Sequence, residues 1–186
     1  MEKARIMHMI AEALLADDKP AALRTLAAEC PFTMTTGGKR KYTDRQRMAI
    51  YRRDGFIDRY SGKKLVNPGL LRVISRYFPE AFPYDPHWKP AACHALYWEL
   101  TPTLDHVVPV FHGGADDASN LVTTSMLCNS RKANWTLEEM GWTLHPAAPD
   151  GQWDGLTGLF LQLVRKDPGL EANKAIKHWY AVSKES

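Results

Sequence analysis

Asp105 and His106 stand side by side in Leu104-Asp105-His106-Val107-Val108-Pro109-Val110, which is followed by Gly113-Gly114, Ser119-Asn120-Leu121 and Cys128-Asn129-Ser130-Arg131-Lys132. A carboxylate beside an imidazole, an asparagine after a Gly-Gly turn and a second asparagine on a basic helix are the parts a one-metal phosphodiesterase needs. Hydrolysis of a phosphodiester requires a deprotonated water, relief of charge on the phosphoryl oxygens and stabilisation of the leaving oxygen. Histidine suits the first task, because its unperturbed pKa of about 6.5 leaves a useful neutral fraction near pH 7. His106 is therefore the candidate base. Thr103 to Val110 reads as a strand, in which side chains alternate faces, so Asp105 and His106 point apart unless the strand end departs from regular geometry.

The stretch resembles the HNH endonuclease family, whose core is two antiparallel strands and a helix folded around one divalent metal. The resemblance implies a DNA endonuclease in which Asp105 is the charged metal ligand, His106 faces the attacking water and Asn129 is a second, neutral oxygen ligand from the helix. Two oxygen ligands, with the other positions left to water and phosphate, suit Mg²⁺, with Mn²⁺ as the alternative. Asn120, nine residues before Asn129, is implied to bond the loop backbone and fix the orientation of His106. Lys132 and Arg131 would hold phosphates flanking the cut. His112 stands where the family often carries arginine; a phosphate contact and a plain loop histidine are both open.

Many HNH proteins carry a structural zinc on two C-x-x-C pairs. Those positions fall here at Asp58, Ser61, Ser125 and Cys128. With three of the four thiols missing, no structural zinc is expected, and packing of Phe56, Tyr60, Trp98, Trp135 and Trp142 is expected to hold the fold instead. A stand-alone protein of this kind is typically bacterial or phage-encoded and serves restriction, defence or mobile-element cutting. An RNase or toxin of the same fold shares the chemistry. A non-catalytic nucleic-acid-binding module is the other alternative, against which Asp105, His106 and Asn129 together argue.

The elements that must position these residues read as α+β, mostly helical, with a small ββα-metal core. Residues 1–38 form an N-terminal helical hairpin or arm, and 39–186 the nuclease domain, with its motif core at 101–135 and helices at the C-terminus. Ile6, Ile10 and Leu14 recur at four-residue spacing on a first helix, and Leu23 and Leu26 face inward from a second. This pair is a docked hairpin, a dimer interface or a partner-binding arm, and a palindromic cutter would be a homodimer. Thr43-Asp44-Arg45-Gln46 is a capping box opening a basic helix with Ala49 and Ile50 inward. A hairpin around Ser61-Gly62 follows, then a helix begun by Asn67-Pro68. Asn67 to Pro102 is an insert between the hairpin and the motif.

Charge points the same way. Between Lys39 and Lys64 ten basic residues face three aspartates, so this stretch carries +7 and the remainder −4 of a net +3. Such a block is either a solvated helix face or a polyanion site, since each cation at a phosphate releases a condensed counterion. Beside a nuclease motif the second reading leads, with Arg45, Arg52, Arg53, Lys63 and Lys64 as DNA contacts. Cys30, Cys93 and Cys128 lie far apart and read as reduced thiols of a cytoplasmic protein. No segment has the length of a membrane span.

Overall fold

The computed structural model describes residues 3–31, 42–148 and 152–184, which fall in two units, Met1–Arg40 and Lys41–Ser186. The end of the expected N-terminal arm, from residue 32, lies outside the described residues, as do Lys39, Arg40 and Lys41. In the first unit helix α1 (Lys3–Leu15) packs on α2 (Lys19–Glu29). Asp18 starts α2 by accepting the Ala21 amide at 2.9 Å, a bond that satisfies one of the free donors of the first turn. Ile6 and Ala22 are buried, while Leu14, Leu23 and Leu26 are exposed. The leucines expected inward thus lie outside: the buried position on α2 is the small Ala22, and Leu23 is turned about 100° from it.

In the second unit, α3 (Asp44–Arg53) begins at the expected capping box of Thr43 and Gln46. Its buried face is Met48, Ile50 and Tyr51, whereas Ala49 is exposed; the larger side chains take the inward positions. The Tyr51 hydroxyl donates to the Pro102 carbonyl at 3.0 Å. The hairpin expected after α3 is reduced to one bridge, Ile57 opposite Lys64. Its first arm is drawn away, because the Arg59 amide donates to the Thr123 carbonyl at 2.9 Å.

The main core lies among α4 (Pro68–Tyr77), α5 (Ala95–Leu100), α8 (Thr157–Lys166) and α9 (Lys174–Lys184). Leu71, Val73, Tyr97, Phe160, Val164 and Ile176 meet there. Phe160 is fully buried, so its truncation to alanine would cost about 3–5 kcal/mol. A Cβ on Gly69 would stand 2.3 Å from Cζ of Phe160, so no larger residue lets α4 approach α8 this closely. Buried Asn67 caps α4 through the Gly69 amide at 2.8 Å and also donates to Thr157 and Ser183. One side chain thus ties three helices.

Strand β1 (Pro102–His106) pairs antiparallel with β2 (Leu121–Ser125), placing Asp105 opposite Val122 and His106 opposite Leu121. Helix α6 (Met126–Lys132) follows at once, begun by the Ser125 hydroxyl accepting the Cys128 amide at 3.0 Å. The fold is therefore α+β, mostly helical, around a ββα core. β1 stops at His106 rather than Val110: Pro109 has no amide to continue the ladder, and residues 110–112 form a 3₁₀ turn. All of β2 is buried, with α3, α5 and α6 packed on it. After α6, Ala133 turns the chain with φ +46°, which leaves Trp135 48% exposed instead of packed as expected. A second capping box, Thr136 with Glu139, opens α7 (Leu137–Met140). Among the described residues no helix is long and apolar enough to cross a membrane.

Candidate active site on the two strands and helix

The end of β1 sends Asp105 and His106 into different surroundings. Asp105 Oδ2 accepts the Tyr60 hydroxyl at 2.7 Å and pairs with Lys132 Nζ at 2.8 Å. Lys132 is fully buried, and its ammonium also donates to the His106 carbonyl at 2.8 Å. One cation from α6 thus holds both the carboxylate and the backbone of its neighbour. Burial, reinforced by the charge of Asp105 and the bond to it, pushes the Tyr60 phenol far above its ordinary value, so it stays a donor. Lys132 was expected to meet phosphate; in this geometry it reaches one only by leaving Asp105.

His106 meets residues that the sequence did not single out. Its Nε2 lies 2.8 Å from Asp116 Oδ1, and the Tyr42 hydroxyl donates to the same oxygen while standing 3.3 Å from that nitrogen. An Nε2–H donated to a carboxylate leaves the lone pair of a neutral imidazole on Nδ1. The only signal for Asp116 is its place in a loop that must close beside the strand end. Nothing in the sequence marks Tyr42.

That loop is closed by Asn120. Its Nδ2 donates to the carbonyls of Val108 and Ala115 at 2.9 and 2.8 Å, and its Oδ1 accepts the Val108 amide at 2.9 Å. A Cβ on Gly114 would lie 1.9 Å from the Val108 carbonyl oxygen, so the second glycine of the turn admits no side chain.

Asn129 donates through Nδ2 to Thr103 Oγ1 and the Leu104 carbonyl at 3.0 and 3.1 Å. These bonds orient the amide and leave its Oδ1 without a hydrogen bond; Oδ1 of Asp105 is likewise without one among the described residues. One carboxylate oxygen and one amide oxygen are hard donors that fit Mg²⁺ or Mn²⁺. No cluster of three His, Cys, Asp or Glu residues able to hold a metal occurs among the described residues. Water and substrate oxygens would complete the shell of such an ion, as Mg²⁺ favours.

The basic residues divide into two sets. Arg53 donates to the carbonyls of Ala118 and Leu121 at 2.8 and 2.6 Å and pairs with buried Asp54, and Arg52 donates to the Ser183 carbonyl at 2.7 Å. Both hold backbone in place. Arg45, Lys63, Lys64, His112 and Arg131 are exposed, with Lys64 Nζ lying 4.9 Å from the centroid of the Trp153 ring.

Asp58, Ser61, Ser125 and Cys128 converge. Ser125 and Cys128 hydrogen-bond the Asp58 carboxylate, and Cys128 also bonds Ser61 and Ser125. Thr124 Oγ1 and the Tyr60 amide add bonds to Asp58 Oδ1 at 2.9 and 3.0 Å. Burial alone would raise the Asp58 pKa, but these bonds outweigh it and hold the carboxyl below its ordinary value. Burial pushes the Cys128 thiol up, which keeps it protonated and unreactive. Hydrogen bonds, beyond the packing expected there, join the 58–61 turn to β2 and α6.

Residues 99–134 match the HNH endonuclease family. No curated protein and no solved structure matches the chain. The matched segment spans β1, the closing loop, β2 and α6, and carries Asp105, His106, Asn120, Asn129 and Lys132. Match and geometry fall on the same residues: segment 99–134 of this chain is similar to the HNH endonuclease family.

Proposed function

We propose that this chain is a metal-dependent endonuclease that hydrolyses DNA phosphodiester bonds with His106 as general base. The observation that carries this reading is the division of labour at the end of β1. Among the described residues Asp105 and Asn129 each keep one oxygen without a hydrogen bond, while His106 is held through Nε2 by Asp116. A divalent cation on Asp105 and Asn129, Mg²⁺ first and Mn²⁺ second, would supply charge relief at the phosphoryl group and the departing 3′-oxygen.

The rest is the work of the chain's own residues. His106 donates Nε2–H to Asp116 and takes the proton of the attacking water at Nδ1. Asn120 keeps the loop closed so that Asp116 stays beside the imidazole. Tyr60 and Lys132 fix Asp105. Arg131, Arg45, Lys63, Lys64 and His112 meet the DNA phosphates, while Arg52 and Arg53 shape the surface behind them. The products are 5′-phosphate and 3′-hydroxyl ends. Restriction, defence or mobile-element cutting in the cytoplasm is the setting this chemistry suits.

The test is cleavage of supercoiled plasmid with Mg²⁺ or Mn²⁺, with and without EDTA, wild type beside His106→Ala, and an RNA of matched sequence in parallel. Nicking or linearisation that EDTA and the substitution both abolish is the expected result. Salt-sensitive DNA binding with no cleavage under any divalent cation would instead make the protein a binding module, and preference for the RNA would make it a ribonuclease.

A further inference from the structure

Arg72 and Arg76 lie four residues apart on α4, so their side chains share one helix face. Both line a cavity of about 280 Å³ with Tyr84, Pro83 and Asn173, none of them part of the site on β1 and α6. The Arg72 guanidinium stacks on Tyr84, its central carbon 3.3 Å from the ring centroid, which fixes the plane of the fork. Its other neighbour is the Tyr97 hydroxyl, which itself donates to the Leu71 carbonyl at 2.8 Å. Arg72 Nη1 is buried and has no hydrogen-bond partner among the described residues. Among the described residues neither Arg72 nor Arg76 pairs with a carboxylate.

Asn173 adds a third donor. Its Oδ1 accepts the Ala175 and Ile176 amides at 3.0 and 3.3 Å as the cap of α9. Its Nδ2 makes no hydrogen bond among the described residues. Two guanidiniums and an amide donor therefore meet in one concavity, whose lining also includes the Ser75 hydroxyl and, among the described residues, no carboxylate. An oxyanion complements such a lining. A planar fork held in place suits a tetrahedral phosphate, and the volume falls below that of pockets for drug-sized ligands. It suits a phosphate group rather than a whole nucleotide.

We infer that this pocket binds one phosphate group, held by the Arg72 and Arg76 guanidiniums and the Asn173 amide. The phosphate comes either from a nucleic-acid backbone or from a free phosphate. The inference needs neither His106 nor a metal, so it stands or falls apart from the nuclease reading.

The test is calorimetric titration of the full chain, in low-salt buffer with EDTA, with inorganic phosphate and separately with a thymidine dinucleotide carrying one internal phosphodiester. One of the two should bind saturably at a single site. Arg72→Gln should weaken that binding at least tenfold and Arg76→Gln severalfold. Arg72→Lys, which keeps the charge and loses the fork, should lose most of it, and Lys177→Gln, exposed on α9, should lose none. Binding of the dinucleotide assigns the pocket to a nucleic-acid backbone, and binding of inorganic phosphate to a free phosphate. Since Arg72 also packs on Tyr84, thermal melting checks its variants, and exposed Arg76 provides the independent one. No saturable binding by either probe, or equal binding by wild type and Arg76→Gln, overturns the inference.

Discussion

Asp116 Oδ1 and His106 Nε2 are 2.8 Å apart, and the carboxylate is the more exposed of the two side chains, 43% against 13%. A surface acid thus reaches inward to hold the imidazole. Asp116→Asn keeps the shape but weakens the acceptor, and should lower kcat about tenfold with KM little changed, since partners that orient a reactive histidine typically matter by about 10–100-fold. His106→Ala should cost about 10²–10⁴-fold, the usual share of a general base. Steady-state cleavage of a labelled duplex separates the two parameters. An Asp116→Asn enzyme with undiminished kcat would remove Asp116 from the mechanism.

Lys132 Nζ and Asp105 Oδ2 form an ion pair in which the lysine is fully buried and the aspartate 13% exposed. Lys132→Met fills the space but leaves the carboxylate without its cation, and should destabilise the protein by about 3 kcal/mol, the lower end for breaking a buried pair. A divalent cation bound at Asp105 would replace part of the lost charge. Urea unfolding with and without Mg²⁺ should therefore show a larger stabilisation by the metal in the variant than in the wild type. Equal stabilisation would mean that the ion does not bind at Asp105.

Asn120→Asp retains an acceptor for the Val108 amide but loses both donors to the Val108 and Ala115 carbonyls. The expected loss is about 1 kcal/mol of local stability, the usual net contribution of a hydrogen bond that water can partly replace. Hydrogen exchange should quicken in the 107–120 loop and stay slow in β2, with cleavage falling in step. Faster exchange across β2 as well would show that the side chain supports the sheet rather than the loop.

Asp58 ionises below its ordinary value in the folded protein, so the unfolded chain binds its proton more readily. The stability it contributes is complete above the unfolded pKa of about 3.9 and is lost as pH falls through the lower, folded value. Asp58→Asn should therefore be less stable than wild type at pH 7, and the gap should narrow under strong acid. Thermal melts from pH 7 down to pH 2.5 test this; a gap that widens with acid contradicts the assignment.

Much of the candidate site was legible because the residues proposed for it are local in sequence. Asp105-His106, the Gly-Gly turn, Asn120 and Asn129 sit in one run that folds as a ββα unit, and both capping boxes form at the residues whose types demand them. Asp116 was not legible, because its role depends on how far the loop curls back. Tyr42 was less so still, since it reaches His106 from 64 residues away. Ala49 and Leu23 were misplaced by periodicity, which cannot weigh a small residue against its larger neighbours. Arg52 and Arg53 looked like phosphate contacts by charge alone, while their guanidiniums satisfy backbone carbonyls that only the tertiary fold brings near.

The meeting of Asp58, Ser61, Ser125 and Cys128 bears on how such a domain evolves. Each of the four side chains satisfies another, so replacing one leaves its neighbours buried with lost bonds, and the effects of two replacements do not add. A lineage that holds this junction with four thiols and one that holds it with a carboxylate, two hydroxyls and one thiol are separated by three substitutions. Every intermediate along that path has neither a complete ligand set nor a complete hydrogen-bond set. Stability at this junction therefore belongs to the four positions as a set rather than to any one of them.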